Sequence, residues 1–69
     1  MAYYTLLTKE DNSKWYPQFG DYDRQTVMEE VTEYVSEYGR KNIKVVKAID
    51  DSINSLKMAM MQANLEFDL

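Results

Sequence analysis

Side chains that could perform acid–base or metal chemistry are few in this sequence. It contains neither cysteine nor histidine, so the usual zinc and copper ligands and many catalytic nucleophiles are missing. Paired carboxylates remain at Asp21 and Asp23 and at Asp50 and Asp51. Each pair precedes a segment with helical periodicity, where aspartate is a common N-cap. We therefore expect no enzymatic activity, no cofactor and no metal site.

Glutamates recur along one face of the segment that follows Asp23. Glu29, Glu33 and Glu37 are spaced i, i+4 and i+8, and Glu30 lies beside them. Like charges at this spacing slightly destabilise a helix. The face is either an ordinary solvated surface or an acidic recognition face that imitates nucleic-acid phosphates or binds a basic protein. The sequence leaves both interpretations open.

The last periodic segment carries two apolar stripes. The first contains Ile53, Leu56, Met60, Ala63 and Phe67. Met58, Met61 and Leu65 form the second, although a surface helix normally has only one. A helix sandwiched within its own domain would also carry two stripes, but so short a chain has little material to cover both. Because methionine is common at adaptable binding surfaces, we predict a partner or dimer surface at Met58, Met61 and Leu65.

A single small domain over residues 1–69 must position these surfaces, and its predicted order is β-β-α-β-α. The predicted elements are a strand from Tyr3 to Thr8, a turn over residues 9–13, a strand from Lys14 to Phe19, a helix with its apolar stripe from Val27 to Tyr38, a strand from Asn42 to Ile49 and a helix to about Phe67. Asp21 or Asp23 caps the first helix, Gly39 ends it, and Asp50 or Asp51 caps the second helix.

The helix between the second and third strands favours a right-handed parallel crossover. We expect an α+β fold with a three-stranded sheet in the order 2-1-3. Pro17 confines strand 2 to one edge. Lys44 and Lys47 then lie on the opposite edge, where lysines discourage strand-to-strand aggregation.

The periodicity of side chains in strand 2 and in the first helix gives two further expectations for the core. Trp15 and Phe19 are predicted on one face of strand 2 and Tyr16 on the other. In the first helix, Val31 and Val35 are predicted to face the core, while Glu30 and Glu33 face water.

Charge is unevenly distributed along the chain. The net charge of −4 disfavours general attraction to nucleic acid or anionic membranes. Four bases and no acid nevertheless occur between Gly39 and Ile49. A nucleic-acid-associated dimer that uses this basic segment therefore stays an alternative. The N-terminus does not resemble a signal peptide and no run is long enough to span a bilayer, so we expect a cytoplasmic location.

The segment from Trp15 to Arg24 (WYPQFGDYDR) is the most distinctive of the chain. A W-x-P-Q-F-G-D-Y-D block after an N-terminal strand, followed by an acidic helix and a short valine-rich strand, resembles small accessory proteins of tailed phages and prophages. The resemblance spans roughly residues 3–48. It implies a phage-encoded protein inside a bacterial cell and carries over no functional residue. The block itself is predicted to be scaffold: strand, edge proline, glycine turn and helix cap.

These observations favour a phage accessory protein that binds, and thereby inhibits or redirects, a protein of the bacterial host. The nucleic-acid-associated dimer and a purely structural homo-oligomer are the alternatives. Self-association, if present, is expected to give a homodimer, the commonest oligomer.

Overall fold

Residues 1–10 and 14–67 are described by a computed structural model, in which four strands and two α-helices form an α+β fold. The elements are β1 (Tyr3–Lys9), β2 (Lys14–Asp21), α1 (Arg24–Tyr38), a 3-10 turn (Arg40–Asn42), β3 (Ile43–Ala48), α2 (Ile53–Gln62) and β4 (Glu66–Phe67). The predicted turn residues Asp11, Asn12 and Ser13 lie outside the described residues.

The sheet has one strand more than predicted. Its order is β3-β1-β2-β4, so the expected three-stranded sheet is wrong, although β1 does lie between β2 and β3. The added strand β4 pairs in parallel with the start of β2, through Lys14↔Glu66 and Trp15↔Phe67. This short pairing makes the sheet mixed.

Helix α1 connects two parallel strands, as the sequence predicts. Strand β1 pairs antiparallel with both β2 and β3, so β2 and β3 run in the same direction on either side of it. Since β4 reaches only Lys14 and Trp15, Pro17 has no described strand on its outer side. Lys44 and Lys47 lie on β3, at the far edge of the sheet, as predicted.

Both faces of the sheet are covered by helices. Leu6 and Leu7 are consecutive in β1 and therefore point to opposite faces, yet both are 0% exposed. Leu7 belongs to a core cluster with residues of α2, including Leu56 and Met60. On the other face Leu6 pairs with Val45, a residue that lines a groove with α1. The central strand is thus buried between α1 and α2.

A β-bulge in strand β2 corrects one prediction about its faces. Leu6 pairs with Phe19 while Leu7 pairs with Pro17, so Gln18 is the extra residue. The bulge reverses the alternation beyond it, because residues that pair across strands share a face. Trp15, before the bulge, lies in the α2 core, whereas Phe19, beyond it, lies on the Leu6 face. The prediction that Trp15 and Phe19 share a face is therefore wrong.

The ends of helix α1 are set by the residues that the sequence indicates. The Asp23 carboxylate accepts hydrogen bonds from the Gln25 amide at 3.1 Å and the Thr26 hydroxyl at 3.0 Å, which caps the first turn. At the other end Gly39 has φ of 87°, and its amide donates to the Val35 carbonyl. This backbone conformation is favourable only for glycine.

Helix α1 lies less deeply on the sheet than predicted. Val27 is its fully buried residue, whereas Val31 and Val35 are only half-buried. They face the sheet, as predicted, but together with Ile43 and Val45 they line a groove instead of being fully buried. Glu33 is exposed as predicted, but Glu30 is half-buried at the side of the helix.

Helix α2 is shorter than predicted at both ends. Ser52, and not Asp50 or Asp51, is its N-cap, because the Ser52 hydroxyl accepts a hydrogen bond from the Ser55 amide. The helix ends at Gln62 and does not continue to Phe67.

The C-terminal end of α2 is closed by a Schellman motif. The Leu65 amide donates to the Met60 carbonyl at 2.9 Å, and the Asn64 amide donates to the Met61 carbonyl at 3.0 Å. Asn64 has φ of 58°, the left-handed conformation that this motif requires. Leu65 and Phe67 then pack against the core cluster that contains Met60. The chain therefore turns back and forms β4.

Candidate interaction surface along strand β3

Strand β3 is an edge strand whose outer side has no described partner. It pairs with β1 from Tyr3↔Ala48 to Thr8↔Ile43 and ends the strand order of the sheet. Its outer edge therefore presents backbone N–H and C=O groups that no described strand pairs with. These groups can accept another strand by main-chain hydrogen bonding.

An apolar groove follows this edge on the α1 side. It has a volume of about 380 Å³. Its apolar lining consists of Met28, Val31, Val35, Ile43 and Val45. The groove exists because α1 leaves Val31 and Val35 only half-covered by the sheet.

A second, smaller groove follows the edge on the α2 side. It has a volume of about 80 Å³, and its lining includes Ile49, Met58 and Ala59. Ile49 is 78% exposed and Met58 60% exposed. Met61, 64% exposed, is the helical neighbour of Met58 at i+3. Apolar side chains thus flank the free edge on both faces of the sheet.

Four cations accompany the same edge. Arg40, Lys41, Lys44 and Lys47 are all exposed, and Arg40 and Lys44 line the larger groove. None of the four forms an ion pair with any residue in the described ranges 1–10 and 14–67. The edge therefore combines apolar grooves with positive charge. We call this combination the β3-edge surface: the outer edge of β3, the two grooves and the four cations.

The predicted stripe on the last helix is divided by the fold. Met58 and Met61 lie on the exposed side of α2. Leu65 lies beyond the end of the helix, half-buried against the core cluster, and so does not join them. The apolar residues that lie near Met58 are instead Ile49 and Ala59.

The predicted acidic recognition face lies away from the β3-edge surface. Glu29, Glu33 and Glu37 are exposed. At 100° per residue they occupy the side of α1 opposite Val31, which faces the larger groove. Glu30 is half-buried and belongs to neither face. The acidic face and the β3-edge surface are therefore separate.

The aromatic and acidic side chains near Tyr3 form a packed structural cluster. The ring of Tyr3 meets that of Tyr22 edge to face, with centroids 4.8 Å apart. Burial raises the pKa of Tyr3 above its usual value, and the nearby charges of Asp51 and Asp21 raise it further. A Cβ at Gly20 would lie 2.7 Å from two ring carbons of Tyr3. Gly20 thus lies in strand β2 under a tyrosine ring, and its predicted role in a turn is wrong.

The pKa of Asp50 is lowered for a local reason. Hydrogen bonds from the side chains of Ser55 and Ser52, and from the Ser52 amide at 3.0 Å, favour its charged form. Asp50 thereby supports the start of α2. Its lowered pKa is explained by these local hydrogen bonds.

Two features are absent from the described part of the chain. No group of three or more histidine, cysteine, aspartate or glutamate side chains is arranged there to hold a metal ion. No helix within those residues is both long and apolar enough to cross a membrane.

Comparisons with protein-family models, curated proteins and solved structures find no match to this chain. The fold and the β3-edge surface therefore rest on the chain's own residues.

Sequence reasoning identified part of the β3-edge surface and missed the rest. It found Met58, Met61 and the basic residues, but treated the basic segment as an alternative nucleic-acid site. It did not identify the α1 groove or Ile49. One signal was present: the strand NIKVVKAI carries more apolar residues than an edge strand with one buried face needs.

Proposed function

We propose that this chain is a small binding domain that engages another protein at the β3-edge surface. One observation carries the proposal: a free strand edge is flanked on both faces by exposed or half-exposed apolar side chains. Strand addition at such an edge supplies main-chain hydrogen bonds, while the flanking grooves bury side chains of the partner.

Burial of the apolar side chains would supply much of the binding free energy. Ile49, Met58 and Met61 each expose more than half of their surface in the free chain. Burying such a side chain fully stabilises a complex by about 1.5–3 kcal/mol. Because methionine side chains are flexible, Met58 and Met61 can pack against partners of different shapes.

The resemblance of residues 3–48 to phage accessory proteins supports a bacterial host protein as the partner, and the host cytoplasm as the location. In this proposal a strand of the host protein adds to the outer edge of β3. The host protein would be inhibited or redirected because that strand is then covered.

A second candidate function is association with nucleic acid, favoured by the four exposed cations along the same edge. Phosphate binding of this kind weakens steeply with salt. A gel shift at low salt, abolished when Lys44 and Lys47 are replaced by Gln, would support it. The exposed glutamates on α1 and the net charge of −4 oppose it.

The protein-binding proposal is tested by affinity capture from bacterial lysate with matched variants. The test pair, Ile49→Glu with Met58→Glu, places negative charge on the apolar part of the β3-edge surface and should abolish capture of the partner. The control pair, Tyr16→Glu with Ile53→Glu, changes two residues that are 56% and 55% exposed and line neither groove. The control should capture the same protein as the wild type.

Hydrogen exchange checks the location independently. In the complex, amide exchange over residues 43–48 should slow, because the outer N–H groups become hydrogen-bonded. Capture that survives in the test pair, or that is lost equally in the control pair, would contradict the proposal.

A further inference from the structure

We infer that the segment bound at β3 is an extended strand of another protein in which aliphatic side chains alternate with acidic ones. This inference rests on the proposed function and adds the chemistry of the partner. It is carried by the lining of the larger groove and by the charge along the edge.

The larger groove favours aliphatic side chains. Its volume of about 380 Å³ is open beside β3, and valine, isoleucine and methionine side chains supply its apolar lining. A strand added to β3 would lie about 4.8 Å away, and every second side chain would point toward α1. Those side chains would cover Val31 and Val35, which the domain itself leaves half-exposed.

The cations favour acidic side chains at the remaining positions. Lys44 pairs with Leu7 of the α2-side core, so its side chain lies on that face, toward which the remaining side chains of an added strand would point. Arg40 lies in the 3-10 turn just before β3, and neither cation forms an ion pair with any described residue. A wholly apolar strand would partly desolvate these charges without compensation, which is unfavourable. A carboxylate beside Lys44 would neutralise its charge and accept hydrogen bonds, and a carboxylate at the end of the added strand nearest to Arg40 would bind its guanidinium through two hydrogen bonds.

The same charges oppose a second copy of this chain as the occupant. Pairing β3 with itself would bring Lys44 and Lys47 of both copies together along one ladder. Like charges on neighbouring strands are destabilising. Lysines at a sheet edge are a common protection against such self-pairing. The β3-edge surface therefore disfavours a second copy of β3 and favours an acidic strand.

Selection from a library of random ten-residue peptides displayed on a carrier tests the inference. The wild-type chain should enrich peptides in which valine, isoleucine or leucine alternates with aspartate or glutamate. A charge-reversed variant, Arg40→Glu with Lys44→Glu, should keep the aliphatic alternation and select lysine or arginine in place of the acids. Its matched control, Arg24→Glu with Lys57→Glu, changes the net charge equally at residues outside both grooves and should select as the wild type does.

A synthetic peptide from the wild-type selection gives the quantitative check. Replacing its acids by the corresponding amides should weaken binding about threefold to tenfold. Raising the salt from about 50 to about 500 mM should weaken the acidic peptide more than its amide version.

Each alternative outcome overturns the inference in a recognisable way. Aliphatic peptides without acids would remove the charge requirement, and an i, i+3, i+4 pattern would indicate a helical occupant. Sedimentation at twice 8.2 kDa that Ile49→Glu with Met58→Glu abolishes would indicate a second copy. Failure to enrich any peptide would exclude a short strand as the ligand. The lysate experiment decides the proposed function separately, because it does not depend on peptide composition.

Discussion

Single residues fix the backbone of this domain at two glycines, for different reasons. Gly20 has no room for a side chain because the Tyr3 ring covers it. Gly39 has ample space, since no described side chain outside its two chain neighbours lies within 4 Å of the position that a Cβ would occupy, but its φ of 87° disfavours any other residue. The cost of steric overlap, at Gly20, and the cost of backbone strain, at Gly39, can therefore be measured separately in this protein.

Gly20→Ala should lower the free energy of unfolding by about 1–3 kcal/mol, the usual cost of overpacking. The reduced entropy of the unfolded chain offsets only about 0.4–1 kcal/mol of this. Urea denaturation measures the change. Tyr3→Val should cost less in the Gly20→Ala background than in the wild type, since it relieves the overlap.

Gly39→Ala is the matched control for this coupling. It should also destabilise the domain, by about 1–3 kcal/mol, through backbone strain. Its effect should add to that of Tyr3→Val without coupling, because Gly39 does not contact the ring. If the effects of Gly20→Ala and Tyr3→Val on the free energy of unfolding were additive, the Tyr3 ring would move away from residue 20 without a cost in stability.

At the scale of elements, the end of helix α2 decides which side chains are available for binding. The Schellman motif at Asn64 turns Leu65 and Phe67 back onto the core and adds β4 to the sheet. Met58 and Met61 stay exposed on the helix. The predicted three-residue stripe is thus divided into a structural residue and two surface residues.

Leu65→Ala should therefore lower the free energy of unfolding by about 1–2 kcal/mol, part of the cost of truncating a fully buried leucine. Met61→Ala should change it by less than about 0.5 kcal/mol, as is usual for exposed positions. Thermal melts of the two variants measure the difference. Equal stabilities would contradict the placement of Leu65 against the core.

At the scale of the whole molecule, charge is separated between two surfaces. The exposed glutamates of α1 lie on its solvent side, and the cations lie along the edge of β3. The two surfaces imply partners of opposite charge, and of these two the β3-edge surface is the one that apolar grooves flank. This difference is why we place the partner at β3.

Replacing Glu29, Glu30, Glu33 and Glu37 together by Gln should distinguish the two surfaces. The free energy of unfolding should rise by roughly 0.5–1 kcal/mol, because repulsion between like charges at i+3 and i+4 is removed. Capture of the partner from lysate should be unchanged. If capture were lost from this folded variant, the partner would bind the acidic face of α1, and the β3-edge proposal would fail.

The sequence by itself determined the features that depend on neighbouring residues. These include strands β1 to β3, helix α1 with its cap at Asp23 and its end at Gly39, and the positions of Pro17 and the lysines on free strand edges. Periodicity, capping side chains and a missing proline N–H act within a few residues, so they are visible in the sequence.

The tertiary structure alone decided where α2 ends, which face Phe19 occupies and that a groove opens beside β3. Continuation of α2 and the turn at Asn64 are both locally acceptable, and burial of Leu65 and Phe67 against the distant strand β2 selects the turn. The bulge at Gln18 likewise depends on register with β1. Each of these outcomes is set by packing between segments far apart in the chain, to which local periodicity does not respond.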